Sequence, residues 1–155
     1  MATETTPDGT KNEMKVEDAL PHQLRRGMQA WTTMWQQHFQ ELTTPQYAVL
    51  ALLDEHGSLD QSALGALAAM DRSTLSTLLD RLETQKLVSK AVEPTNRRRR
   101  IVTLTDAGRA RLNEATPKMA RLIEDLEQLF GPDDMRRLVL LLRRLGDVPS
   151  LQPDS

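Results

Sequence analysis

The amino-acid sequence predicts a mainly α-helical fold with one small β-hairpin. Most apolar residues recur at three- and four-residue steps, as on one face of a helix. Apolar and β-branched side chains at strand spacing are concentrated in residues 87–104, and threonine or aspartate precedes several of the helical segments. Together these observations indicate a helix-turn-helix followed by a wing, with further helices on both sides.

The chain has 155 residues and a 39% apolar fraction, which suffices for one domain core. Residues 1–18 have few apolar anchors and are predicted to be a flexible tail, and residues 147–155 are predicted to be a second tail. The absence of cysteine excludes disulfides and thiolate chemistry. The sequence shows neither an apolar run of ~20 residues nor the pattern of a signal peptide, so we expect a cytoplasmic protein that does not enter a membrane.

The first helix is predicted over residues 19–42. Its apolar face contains both tryptophans and one of the two phenylalanines of the chain: Leu24, Met28, Trp31, Met34, Trp35, Phe39 and Leu42. So aromatic a face indicates deep packing against another element or against a second copy of the same helix.

Three start signals define the helices that follow. Thr44 is predicted to cap the second helix, with Pro45 at its first position and Gly57 beyond its end. Asp60 is predicted to cap a short third helix, and Asp71 a fourth. The tight connection between the last two predicts a helix-turn-helix.

The helix after Asp71 has one apolar stripe, formed by Leu75, Leu78, Leu79 and Leu82. Its other faces carry short polar side chains, which can enter a DNA major groove and contact base edges or phosphates: Ser73, Thr74, Ser76, Thr77 and Arg81. An ordinary amphipathic helix has the same pattern. The short helix before it and the basic hairpin after it favour a recognition helix.

The hairpin is predicted from two β-prone stretches, residues 87–92 and 101–104, with four consecutive arginines between them. Although the net charge of the chain is −2, residues 71–111 contain ten Lys/Arg against five Asp/Glu. A local positive face matters more for binding a phosphate backbone than the overall charge does.

Two further helices are predicted over residues 106–146. Thr105 is the expected N-cap of the first, Pro117 is expected to kink or divide it, and Gly131 separates the two. Their leucine-rich stripes exceed what a core of this size needs. Together with the aromatic first helix, they predict a dimerisation region.

From Leu20 to Leu145 the chain resembles the MarR family of transcriptional regulators. The matching segments are LTTPQYAVL at 42–50, DRST at 71–74, DRLE at 80–83, and a wing in which Asn96-Arg97-Arg98 precedes Leu104-Thr105 at the family spacing. The family usually has an aspartate at the position of Asn96, and often a glycine at that of Lys86.

The resemblance implies a MarR-type domain at 19–146, with a winged helix-turn-helix at about 44–105 and dimerisation helices at about 19–42 and 106–146. A homodimer would bind a palindromic operator in double-stranded DNA, often as a repressor. The implied base contacts come from Ser73, Thr74, Ser76, Thr77 and Arg81, and the minor-groove contacts from Arg97 and Arg98. Arg99 and Arg100 are expected to contact phosphate or to be strand residues.

A finer resemblance is to the branch of the family that senses small aromatic acids, which implies a role in aromatic compound catabolism. It rests on Leu24-Arg25-Arg26 with Gln29 and on the segments at 44–47, 60–61 and 71–74. In that branch an arginine of the first helix is a partner for the ligand carboxylate. The predicted ligand residues are His22, Arg25, Arg26 and Trp31, although either arginine could instead bridge two subunits.

Other classes of function have less support. His38 and Glu41 have the spacing of a metal pair without a third ligand, so no metal or cofactor is expected. A nucleophilic cysteine and a glycine-rich phosphate loop are absent from the sequence, so an enzyme is not expected. The alternative to a DNA-binding regulator is a winged-helix protein-interaction module without sequence-specific DNA binding.

Overall fold

The computed structural model describes residues 15–147, and the rest of both predicted tails lies outside the described residues. A single 3-10 turn, Val16–Asp18, occupies part of the region predicted as the first tail. The helices and strands that follow have these bounds: α1 (Leu20–His38), α2 (Thr44–His56), β1 (Leu59–Asp60), α3 (Gln61–Leu67), α4 (Arg72–Thr84), β2 (Val88–Glu93), β3 (Asn96–Leu104), α5 (Asp106–Phe130) and α6 (Pro132–Gly146). The mainly α-helical fold with a small β wing is confirmed.

The three strands form one antiparallel sheet in the order β1-β3-β2. β2 and β3 form the predicted hairpin, in which Val88 pairs with Leu104. The two-residue strand β1, which the sequence analysis did not predict, pairs with the other edge of β3 through Leu59 and Val102. The wing is therefore joined by backbone pairing to the segment that begins α3.

One hydrophobic core connects the helix-turn-helix to the sheet and to α5. Its largest fully buried side chains are Leu50, Leu53, Leu64, Leu75, Leu79, Leu82, Leu122, Val49, Val88 and Val102. The predicted stripe of α4 supplies three of these leucines, and the fourth, Leu78, is half-buried. Burial of this stripe fixes which face of α4 remains exposed.

The N-cap of α2 is Thr43, so the prediction of Thr44 is wrong. The backbone N–H of Gln46 donates to the Thr43 hydroxyl at 3.4 Å, and the N–H of Thr43 donates to the Gln46 side-chain oxygen at 2.9 Å. This reciprocal pair is a capping box, which satisfies two free donors at once. Thr44 becomes the first helical residue, and Pro45 follows it within the first turn.

α1 ends at His38, four residues before the predicted end. Phe39 has an extended backbone, and the buried indole N–H of Trp35 donates to the Leu42 carbonyl at 2.6 Å, which holds the chain in a turn. Phe39 and Leu42 are still buried, and the Phe39 ring stacks on Trp35 with centroids 4.0 Å apart. The helical spacing of these apolar residues thus continues into a segment that is not helical.

The four arginines lie within β3, whereas the hairpin was predicted with all four between its two β-prone stretches. Arg99 and Arg100 are strand residues, which is one of the two roles expected for them. β3 begins at Asn96, five residues earlier than predicted, and only Pro94 and Thr95 form the turn. Because side chains alternate across a strand, consecutive arginines project from opposite faces of the hairpin. The basic segment is consequently held by backbone pairing along its length.

α5 is one continuous helix of 25 residues with Pro117 inside it, so the proline does not divide it. The side chains at the end of α5 and along α6 remain exposed: Leu129, Phe130, Leu138, Val139, Leu140, Leu141, Leu142 and Leu145. Leu129 is 73% exposed and Leu140 59%. The described helices include none with enough apolar length to cross a membrane.

Candidate nucleic-acid interface

The first turn of α4 is organised by Asp71. One carboxylate oxygen accepts from the Thr74 N–H at 2.9 Å, and the other accepts from the Thr74 hydroxyl at 2.6 Å. These contacts, the hydroxyl first, hold the pKa of the Asp71 carboxyl below its usual range. The predicted N-cap is confirmed, and Thr74 has a structural contact in addition to its predicted contact with a base.

The face of α4 opposite the core is polar and borders an open groove. Ser73, Thr74, Thr77 and Arg81 are exposed, whereas Ser76 is half-buried. The groove between this face and the start of α2 is lined by Thr43, Pro45, Ser73, Thr74, Thr77, Leu78 and Arg81. Four of the five predicted base-contacting residues therefore share one accessible surface, and their contact with DNA stays a prediction.

α4 ends in a Schellman turn. The Lys86 N–H donates to the Glu83 carbonyl at 2.8 Å, and the Leu87 N–H donates to the Leu82 carbonyl at 2.9 Å. Lys86 has a φ of 61°, in the left-handed region that favours glycine. Lys86, at the position where the family often has glycine, thus has the left-handed backbone conformation that glycine adopts most readily.

Lys90 of β2 connects the wing to α4. Its ammonium lies 2.5 Å from the Asp80 carboxylate and 2.8 Å from that of Glu83, both on α4, and its side chain is only 12% exposed. The two carboxylates, Asp80 first, raise the pKa of Lys90. This contact orients α4 relative to β2, and the sequence analysis did not predict it.

Asn96 begins β3 at the position where the family usually has aspartate. Its side-chain oxygen accepts from the backbone N–H of Arg98 at 3.1 Å, which fixes the backbone rather than an arginine side chain. Arg97, Arg98 and Arg100 are exposed, and within residues 15–147 their side chains form neither an ion pair nor a hydrogen bond. Their charges are available to an external anion.

Arg99 differs from its three neighbours. Its guanidinium donates to an Asp60 carboxylate oxygen at 2.7 Å and lies 3.0 Å from a Glu93 carboxylate oxygen. The Asp60 carboxylate also accepts from the N–H groups of Ser62 and Ala63 at 3.0 Å, as the N-cap of α3. The Arg99 contact is the first cause of an Asp60 pKa below its usual range. Two carboxylates already bind Arg99, which was predicted to contact DNA.

The four predicted ligand residues lie on α1 but do not form one cluster within the chain. Trp31 is half-buried, and its indole N–H donates to the Thr44 hydroxyl at 3.2 Å. His22 is nine residues earlier, two and a half turns at 3.6 residues per turn, so it faces the opposite side. Arg25 and Arg26 are exposed, and Arg25 donates to the Gln29 side chain at 3.4 Å. None of the four lines the groove beside α4.

Similar proteins point to regulators of transcription. The MarR family model matches residues 42–99. The transcriptional repressor NicR of Pseudomonas putida is 31% identical over 153 residues, 95% of this chain and 96% of that protein. The DNA binding of Bordetella bronchiseptica BpsR is regulated by 6-hydroxynicotinic acid. Its structure superposes on this one with a TM-score of 0.81 over 87% of this chain and 98% of that one, and the sequence identity is 28%. The transcriptional repressor CouR, bound to a 23-mer DNA duplex, is 29% identical with a TM-score of 0.78, covering 83% and 93%.

Proposed function

The chain belongs to the MarR family of transcriptional regulators, and on that premise we propose that it is a repressor that a small aromatic carboxylate releases from DNA. In this proposal a homodimer binds a palindromic operator. Each α4 enters a major groove, and each wing reaches the flanking minor groove.

The exposed face of α4 is the observation that carries the proposal. Because Leu75, Leu79 and Leu82 are buried, the helix cannot rotate to hide its polar side. That side offers hydroxyls and one guanidinium, which can hydrogen-bond to base edges and phosphates. Arg97 and Arg98 add positive charge that no described carboxylate neutralises.

The proposed dimer is supported by the exposed apolar side chains of α5 and α6. Eight large apolar residues from Leu129 to Leu145 are at least 40% exposed. A monomer in water rarely leaves so large a group of neighbouring apolar side chains uncovered. We expect the parent to be a dimer by light scattering and the double variant Leu141→Glu/Leu142→Glu to be a folded monomer with weak operator affinity. A dimer in that variant would contradict the assignment of α6 to the interface.

The proposed effector is an aromatic acid because such a ligand regulates the DNA binding of the similar protein BpsR. A guanidinium of α1 would bind the carboxylate through two parallel hydrogen bonds, and the tryptophan surface would contact the ring. The effector lowers DNA affinity only if it binds the DNA-incompetent conformation more tightly, and the size of that difference limits the effect.

The test is a titration of the protein onto DNA from immediately upstream of its own gene, with a scrambled duplex as control. We expect selective binding, which weakens when one member of a panel of aromatic acids, including 6-hydroxynicotinic acid, is added. Arg98→Ala should weaken binding without unfolding the dimer, while Arg121→Ala, which removes an equivalent exposed charge from α5, should leave it unchanged.

The outcomes separate the alternatives. Selective binding that none of the acids weakens would support the proposed repressor function and would reject aromatic acids as its effectors. Binding that ignores sequence would favour the protein-interaction module, since nonspecific electrostatic contact needs no base reading.

A further inference from the structure

Arg99 joins three elements of the winged region. It lies on β3, its Asp60 partner ends β1 and caps α3, and its Glu93 partner ends β2. The Glu93 oxygen nearest to it has almost no access to water and no hydrogen-bond partner among the described residues. The guanidinium is the charged group that compensates this oxygen.

The neighbouring arginines provide an internal comparison. Arg98 and Arg100 have the same side-chain chemistry and are exposed, yet they lack carboxylate partners within the described chain. Arg99 has two, on opposite sides of the strand that carries it. A phosphate would have to compete with both carboxylates for this guanidinium, whereas it meets no such competition at Arg98.

We propose that Arg99 is a positioning residue that fixes the wing against the start of α3, and that it does not contact DNA phosphate. The inference rests on the proposed DNA-binding function and deepens it, because it divides the four arginines into DNA contacts and a structural brace. The brace is defined as Asp60, Arg99 and Glu93.

The brace limits where Arg97 and Arg98 can go. Both precede Arg99 directly on β3, so a rotation of the hairpin about its base would move them away from the flanking groove. Backbone pairing of β1 with β3 involves only two residue pairs. The ionic contact to Asp60 adds a side-chain restraint to this short pairing.

The salt dependence of DNA binding distinguishes a brace from a phosphate contact. Each cationic side chain that neutralises phosphate charge and releases a counterion, whether it lies at the backbone or in the minor groove, contributes about 0.9 to the slope of log affinity against log salt. We expect Arg98→Ala to reduce the slope by about one for each protomer. Arg99→Ala should lower affinity by up to about fivefold for each wing and should reduce the slope by clearly less than Arg98→Ala does, because its charge acts on the DNA only from a distance. An equal reduction of the slope in both variants would overturn the proposal and leave the DNA-binding function intact.

Asp60→Asn gives a second test in which electrostatics and positioning predict opposite signs. Asparagine is as good an N-cap as aspartate, so α3 keeps its capping residue while Arg99 loses its ion pair with Asp60 and keeps its contact with Glu93. Removing a negative charge should by itself strengthen DNA binding. We expect Asp60→Asn to bind DNA more weakly than the parent. In the Asp60→Asn/Arg99→Ala double variant, the loss of binding free energy should be smaller than the sum of the losses in the two single variants. Stronger binding in Asp60→Asn would refute the brace.

Hydrogen exchange measures the brace without DNA. Amides of β2 and β3 near the turn should exchange faster in Arg99→Ala and Asp60→Asn, and at the parent rate in Arg98→Ala. If the parent binds no DNA, the proposed function fails, and this exchange pattern still decides the brace. Unchanged exchange in both brace variants would reject it.

Discussion

Gly108 is the point where α5 meets the turn that follows α4, and Gly108→Ala tests this junction. A β-carbon at position 108 would lie 2.0 Å from the Leu87 carbonyl oxygen and 2.7 Å from a methyl of Leu104, where an ordinary contact begins at 3.4 Å. The nearest atom belongs to the backbone, so a change of rotamer cannot relieve the clash. The start of α5 has to move away from the turn after α4.

The free energy of unfolding should fall by about 2–4 kcal/mol. The movement strains two hydrogen bonds, from the Thr105 N–H to the Leu87 carbonyl at 3.1 Å and from the Thr105 hydroxyl to the Lys86 carbonyl at 2.6 Å. Each contributes about 1 kcal/mol, and overpacking costs about 1–3 kcal/mol. The higher helix propensity of alanine offsets about 1 kcal/mol of this destabilisation.

Urea denaturation followed by circular dichroism, at one protein concentration, measures the change. Gly27→Ala is the matched control, because Gly27 lies within α1 with open space around the position of a β-carbon. That variant should be as stable as the parent or slightly more stable. If Gly108→Ala behaves like Gly27→Ala, the close approach of α5 to Leu87 is refuted.

Three further predictions concern the backbone, the pH response and the ligand. Lys86→Gly should raise the free energy of unfolding by about 0.5–1 kcal/mol because the left-handed φ favours glycine; Lys86→Ala, which keeps the strain and removes the charge, should not. The lowered pKa of Asp60 means that its contribution to stability is complete above about pH 4 and is lost as the pH falls through that pKa, so an acid titration should show a smaller loss in Asp60→Asn. Calorimetry with 6-hydroxynicotinic acid should show weaker binding in Arg25→Ala or Arg26→Ala, and equal affinity in both variants and the parent would reject the arginine clamp.

Short-range signals in the sequence predicted most of the helix starts. Asp60, Asp71 and Thr105 each accept from backbone N–H groups two or three residues later, so both partners lie within one window of sequence. The error at α2 arose because two threonines are adjacent. The pairing of Thr43 with Gln46, the spacing of a capping box, was the signal that distinguishes them.

Contacts between distant residues could not be read in this way. Asp60 and Arg99 are separated by 39 positions, and β1 exists only because β3 passes beside it. The early start of β3 has the same origin, since four arginines have no strong strand propensity and are held extended by pairing with β2. The sequence therefore predicted the basic wing as a unit and not the different surroundings of its arginines.

The capping contact of Thr74 has a consequence for the operator. With its hydroxyl hydrogen donated to Asp71 at 2.6 Å, Thr74 can offer an incoming base only oxygen lone pairs. In the major groove, adenine N6 and cytosine N4 carry hydrogens, while guanine presents only acceptors. The base that faces Thr74 should therefore be adenine or cytosine, and changing Asp71 should broaden the set of bases tolerated there.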